Sequence, residues 1–172
     1  MVSEQRDVFR LYLLRHAHAA WASPGGGDFD RRLDAKGIAE ARSVALQLYN
    51  AGLAPEKIVS SPARRCAETT TAFLEIFGNL QASYDDRLYS EGLEAYLEKI
   101  REHHAALSLM LVGHNPMIEA LAAFLSAPHD ASAAIAYGYP TAGLLALDFH
   151  RPVTGDLLHR GEPVFMLTPA LT

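Results

Sequence analysis

Val8-Phe9-Arg10-Leu11-Tyr12-Leu13-Leu14-Arg15-His16-Ala17 is a mostly apolar run that stops abruptly at an arginine and a histidine. Leu11 to Leu14 is too short and too continuous for half of an amphipathic helix, and it reads as a strand buried on both faces. Two more strands end in comparable chemistry. Lys57-Ile58-Val59-Ser60 leads into Ser61-Pro62-Ala63-Arg64, where Ser61 is suited to cap a helix and Pro62 to begin it. Leu107 to Val112 leads into Gly113-His114-Asn115-Pro116, with the same cap-then-proline signal.

Helical patterns separate these strands. Asp34 is placed to cap a helix whose core face is Ile38, Ala41, Ala45 and Leu48. Pro62 to Phe77 forms a second, Leu93 to Ile100 a third and Met117 to Leu125 a fourth. Gly143 to Phe149 and Val164 to Leu167 read as closing strands. Strands alternating with helices predict a three-layer α/β/α sandwich around a mostly parallel sheet. Trp21-Ala22-Ser23-Pro24-Gly25-Gly26-Gly27-Asp28 is the clearest loop; its three glycines suit a slack connection or a mobile flap.

Ligands of open α/β sheets bind beyond the carboxyl ends of strands, where helix N-termini also point. Arg15, His16, Arg64 and His114 all fall at such ends, so parallel neighbouring strands would bring them together. Guanidinium groups grip phosphate oxygens through charge-assisted, often bidentate bonds. An imidazole with an ordinary pKa near about 6.5 is partly neutral at working pH and can attack phosphorus. The first strand end thus places an anion clamp, Arg15, beside an imidazole nucleophile, His16.

Length and composition set further bounds. The 172 residues fit one domain, 1–172, and the 49% hydrophobic content suits a globular chain. A net charge of −5 argues against nucleic acid as a partner. The polar start, Met1 to Asp7, predicts no secretory leader, and no run is long enough to span a bilayer. With Cys66 as the single cysteine, no intrachain disulfide can form, which suits a reducing, cytoplasmic setting.

Arg15-His16-Ala17, Ser60-Ser61-Pro62-Ala63-Arg64 and Val112-Gly113-His114-Asn115 resemble the histidine phosphatase (phosphoglycerate mutase-like) superfamily. Leu33-Asp34-Ala35-Lys36-Gly37, Pro140-Thr141-Ala142-Gly143 and the short length are similar to its compact SixA-type phosphohistidine phosphatases. The resemblance implies that His16 becomes a transient phosphohistidine while Arg15, Arg64 and His114 bind the transferring group, with no metal or other cofactor. For this His16 must be neutral to attack and His114 cationic, its protonation favoured by a nearby anionic substrate. It implies a phosphorylated partner, either phosphohistidine on a protein or a small phosphorylated molecule, and leaves Arg31 as a secondary phosphate contact. Two departures stand out: Ala17 replaces the usual glycine after the histidine, and Leu88-Tyr89-Ser90 has serine where many members carry a glutamate proton donor. Glu91 and His18 are the alternative donors.

Rival readings rest on single features. His16-Ala17-His18 with His114 could make a three-histidine zinc site, although Arg15 beside it would repel a dication. Asp28-Phe29-Asp30 lacks the hydrophobic strand that paired-aspartate phosphatases need before it. A phosphate-binding module without turnover would use the same arginines.

Overall fold

The computed structural model describes residues 7–130 and 135–170, so Met1 to Arg6, on which the leader reading rests, lie outside it. Strand β1, Val8–Arg15, runs through the middle of the molecule. After it come a short 3-10 turn, Asp28–Asp30, and helix α1, Ala35–Asn50. Strand β2, Lys57–Ser60, precedes α2, Arg64–Phe77, and β3, Ala82–Tyr84. Then follow α3, Arg87–Ser90, α4, Leu93–Glu102, β4, Ser108–Gly113, and α5, Met117–Leu125. Strands β5, Leu144–His150, and β6, Glu162–Leu167, close the sheet.

The strand order is β3-β2-β4-β1-β5-β6. The first four strands are mutually parallel, whereas β5 pairs antiparallel with β1 and β6 antiparallel with β5. Alternation along the strands sends side chains to two separate cores. Phe9, Leu11, Leu13, Leu109, Leu111 and Leu145 pack against α4 and α5 on one face. Tyr12, Leu14, Met110, Val112 and Leu144 pack against α1 and α2 on the other. Burial of both faces explains why β1 and β4 read as continuous apolar runs instead of alternating ones. The anticipated α/β/α layering is present, with an antiparallel edge on a parallel sheet.

Three local expectations need correction. Ile38 is 53% exposed, because the inner stripe of α1 is Gly37, Ala41, Val44, Ala45 and Leu48. Gly37 takes its place in that stripe: a Cβ there would stand 1.9 Å from the His18 carbonyl oxygen. Helices α2 and α5 begin later than the proline signals imply, with Ala63 and Pro116 as their caps. Strand β3 was not anticipated from the sequence; its three residues carry no buried apolar side chain.

Among the described residues, no helix is long and apolar enough to cross a membrane.

Candidate active site

Register brings the first and third motifs together. Arg15 lies opposite Gly113 in the β1–β4 ladder, and the His16 amide donates to the Gly113 carbonyl at 3.0 Å. The two imidazole rings, His16 and His114, consequently sit 5.4 Å apart between centroids. Gly113 is obligatory at this crossing, since a Cβ would collide with the buried Tyr96 ring at 2.2 Å from its hydroxyl. The second motif arrives from β2, where the Ser61 amide donates to Val112 at 2.9 Å.

His16 is held in one protonation pattern. Its Nδ1 lies 2.7 Å from the Ala17 carbonyl oxygen, which can only accept, so Nδ1 carries the hydrogen and Nε2 keeps its lone pair. Burial pushes the ring down to about 4, reinforced by Arg65, Arg15 and Arg31 against the opposing pull of the Ala17 carbonyl. A neutral imidazole with a lone pair on Nε2 is a nucleophile.

Arg65, not Arg64, reaches that nitrogen. Arg65 is 6% exposed and donates from Nε to His16 Nε2 at 3.3 Å. Arg64 stands on the outer face of α2 and pairs with Glu68 at 2.9 Å, its side chain 46% exposed. The reason is helical phase. The inner stripe of α2 is Arg65, Cys66, Thr69, Thr70, Ala72 and Phe73, and Arg64 falls outside it. The sequence carried this signal in Arg65's spacing of four and eight from Thr69 and Phe73, while Arg64 and Glu68 form an ordinary surface pair at i and i+4.

Arg15 is half-buried. It donates from Nη1 to the Tyr139 carbonyl at 2.6 Å, and burial lowers its proton affinity. A groove of about 550 Å³ opens beside it, lined by Asn115, Glu119, Tyr137, Tyr139 and Met166 among others.

His114 lies 2.8 Å from the Ser61 hydroxyl through Nε2 and 5.5 Å from the Tyr89 ring. Burial, then the charge of Arg65 and the His16 ring, push it down to about 3. Burial thus favours the neutral ring, while the cation expected of His114 was tied to an anionic substrate nearby.

Asp28 was not anticipated as a member of this cluster. Its backbone carbonyl accepts from Arg65 Nη1 at 2.7 Å and its carboxylate from Arg65 Nη2 at 3.0 Å. Arg31 donates to the same carboxylate at 3.1 Å, and so does the Tyr89 hydroxyl. Partial burial opposes ionisation, but the bonds from Arg31 and Arg65 prevail and keep the Asp28 carboxyl below its usual range. Arg31, the candidate secondary contact, is thus at the rim, with its Nε on the Ala20 carbonyl and its guanidinium over Trp21. The glycines Gly25 to Gly27 immediately precede this anchored turn.

The two candidate proton donors are placed differently. His18 is turned to Asp34, the cap of α1, at 2.7 Å. Glu91 is exposed just beyond α3. His16 and His18 therefore serve separate partners, and no group of three or more His, Cys, Asp or Glu side chains among the described residues is arranged to hold a metal ion.

The family model of the histidine phosphatase superfamily (branch 1) matches residues 11–91. A protein of Agrobacterium tumefaciens assigned to the phosphohistidine phosphatases SixA is 39% identical, covers 93% of this chain and 97% of its own, and superposes with a TM-score of 0.84. The chain belongs to the histidine phosphatase superfamily. The chain also shares its fold with the protein histidine phosphatase SixA complexed with tungstate, at 20% identity and a TM-score of 0.73, with 93% and 97% of the two chains covered. An uncharacterised chloroplast protein of Arabidopsis thaliana is 34% identical over 128 residues, which are 68% of this chain; the chain spans 59% of that relative's length.

Proposed function

We propose that the protein is a hydrolase of phosphohistidine on proteins and works through a phosphorylated His16. One observation carries the reading: a neutral imidazole whose Nε2 lone pair faces an arginine-rich pocket, its other nitrogen locked on the Ala17 carbonyl.

In the first step His16 Nε2 forms a bond to phosphorus as the bond from phosphorus to the leaving nitrogen breaks. Arg15, Arg65 and His114 hold the equatorial oxygens, where negative charge is spread in the transition state. Water then attacks the phosphorus, the bond to Nε2 breaks, and inorganic phosphate leaves.

The supply of protons favours a nitrogen leaving group. Asp28 is held ionised by Arg31 and Arg65, Glu91 is exposed and His18 is engaged by Asp34. An alkoxide departs poorly without an acid close by, whereas a protonated phosphohistidine releases neutral imidazole. The 39% identity to a SixA-assigned protein points to the same substrate class.

The test is to mix the enzyme with a phosphohistidine-bearing protein, quench in alkaline denaturant and map the phosphorylated peptide. The proposal expects label on His16, none in His16→Ala, and faster turnover of phosphohistidine than of p-nitrophenyl phosphate. Label absent from His16 with both substrates overturns it. Faster turnover of the phenyl ester would make the enzyme a phosphomonoesterase.

A further inference from the structure

We propose that Ser61 is a positioning residue that sets the tautomer of His114, and so decides which ring nitrogen meets the phosphoryl oxygen. The proposal rests on the reading of His114 as a phosphoryl ligand, and it concerns a buried side chain hydrogen-bonded to that ring.

Ser61 is fully buried between β2 and α2, tied to β4 by its own amide. Its Oγ lies 2.8 Å from His114 Nε2 and accepts the Ala63 N–H at 3.3 Å. A neutral imidazole offers one N–H and one lone pair, so the bond between Ser61 and His114 can run in only two ways.

In the first, the Ser61 hydroxyl donates to Nε2 and the ring proton sits on Nδ1. Ser61 then gives one hydrogen bond and receives one. His114 is left with an N–H for an incoming oxyanion.

In the second, Nε2–H donates to Ser61, and Nδ1 presents a bare lone pair to that oxyanion. The hydroxyl proton must then find another acceptor. The adjacent Cys66 thiol is a weak one, protonated because burial pushes it up to about 12. The Cys66 sulfur lies 3.4 Å from Nε2 and 3.9 Å from Nδ1, and a thiol is too weak a partner at either nitrogen to set the ring by itself.

The first arrangement satisfies both hydrogen-bonding roles of Ser61 and leaves the Nδ1–H of His114 for the incoming oxyanion. His16 and His114 then carry the same tautomer for opposite purposes: His16 uses its Nε2 lone pair to attack, and His114 uses its Nδ1–H to hold.

The decisive measurement is a long-range proton–nitrogen NMR spectrum of the histidine-labelled protein, free and with tungstate. The expected pattern is a protonated Nδ1 and an unprotonated Nε2 at His114 in the free enzyme, with Nδ1 still protonated when tungstate is bound. A protonated Nε2 beside an unprotonated Nδ1 in the free enzyme overturns the assignment. This readout needs no turnover, so it stands apart from the trapping of phosphorylated His16.

A mutant cycle supplies the second test. Ser61→Ala is expected to lower kcat about five- to tenfold, the worth of one hydrogen bond, with KM little changed. In a His114→Asn background, where an amide N–H replaces Nδ1–H and cannot change tautomer, Ser61→Ala is expected to lose its effect. An equal loss in both backgrounds would mean that Ser61 acts through packing or the Ala63 amide, and would overturn the proposal.

Discussion

Arg65 donates its Nε hydrogen to the Nε2 lone pair of His16, 3.3 Å away, so the proposed nucleophile is capped by the group proposed to bind its substrate. A phosphoryl group must enter between them, exchanging an arginine–imidazole contact for arginine–oxygen contacts on one side and an approach to phosphorus on the other. This exchange suits an arginine, whose rigid fork can release one acceptor and take two.

The two adjacent arginines should behave very differently. Arg65→Gln is expected to lower kcat/KM by about 10²–10³-fold, as loss of a single transition-state donor does elsewhere. Arg64→Gln removes only an exposed pair with Glu68 and is expected to stay within about twofold. Steady-state kinetics on one phosphohistidine substrate compares them; equal losses would contradict the placement of Arg65.

Asp28 competes with any incoming anion for Arg65. Replacing the carboxylate with an amide, Asp28→Asn, removes a negative charge beside the pocket and weakens the hold on a donor that Asp28 now occupies at 3.0 Å. Tungstate should bind several-fold tighter by calorimetry, about 3–10-fold for an exposed charge acting through one hydrogen bond. Weaker binding would show instead that Asp28 serves to hold Arg65 in place.

The titration of His16 sets an acid limit on the first step. Burial depresses its ring to about 4, so the nucleophile stays neutral well below the ordinary histidine range near about 6.5. Once substrate ionisation is accounted for, the rate of His16 phosphorylation should hold on acidification and fall only near pH 4. A midpoint near 6.5 in rapid-quench experiments would count against this.

The same depressed rings link stability to pH. Below about 6.5 the unfolded chain protonates His16 and His114, while the folded chain does so only at about 4 and 3. The unfolded state thus binds more protons across that window, and stability falls as the pH drops through it. Urea midpoints should decline between pH 6.5 and 4, with His16 contributing on the order of 2–3 kcal/mol. The decline should be shallower in His16→Asn.

Close packing near the site yields a structural prediction. Gly37→Ala forces a methyl group against the His18 carbonyl, at a built separation of 1.9 Å. Shifting that backbone should cost about 1–3 kcal/mol, read as a lower thermal midpoint. An unchanged midpoint would mean that the chain around His18 yields freely.

The sheet was legible because its physics is local. A strand buried on both faces needs an apolar side chain at nearly every position, and Leu11 to Leu14 and Leu109 to Val112 supply that without reference to the rest of the chain. Strand β3 was not, since an edge strand of three residues with no buried apolar side chain leaves no comparable pattern. The order of the strands, with β4 between β1 and β2, depends on pairing between segments about 100 residues apart.

For the site, the residue types were written in the chain and their meeting was not. Arginine, histidine and helix-start signals at three strand ends named Arg15, His16 and His114 from sequence, because strand ends in an α/β sheet share one edge. Which of Arg64 and Arg65 turns inward was decided by where α2 begins and which stripe it packs on the sheet. That Asp28 sits on Arg65, and that Ser61 faces His114, required distant segments to be brought into hydrogen-bond range. Local periodicity reports burial; contacts between remote side chains exist only once the whole sheet has closed.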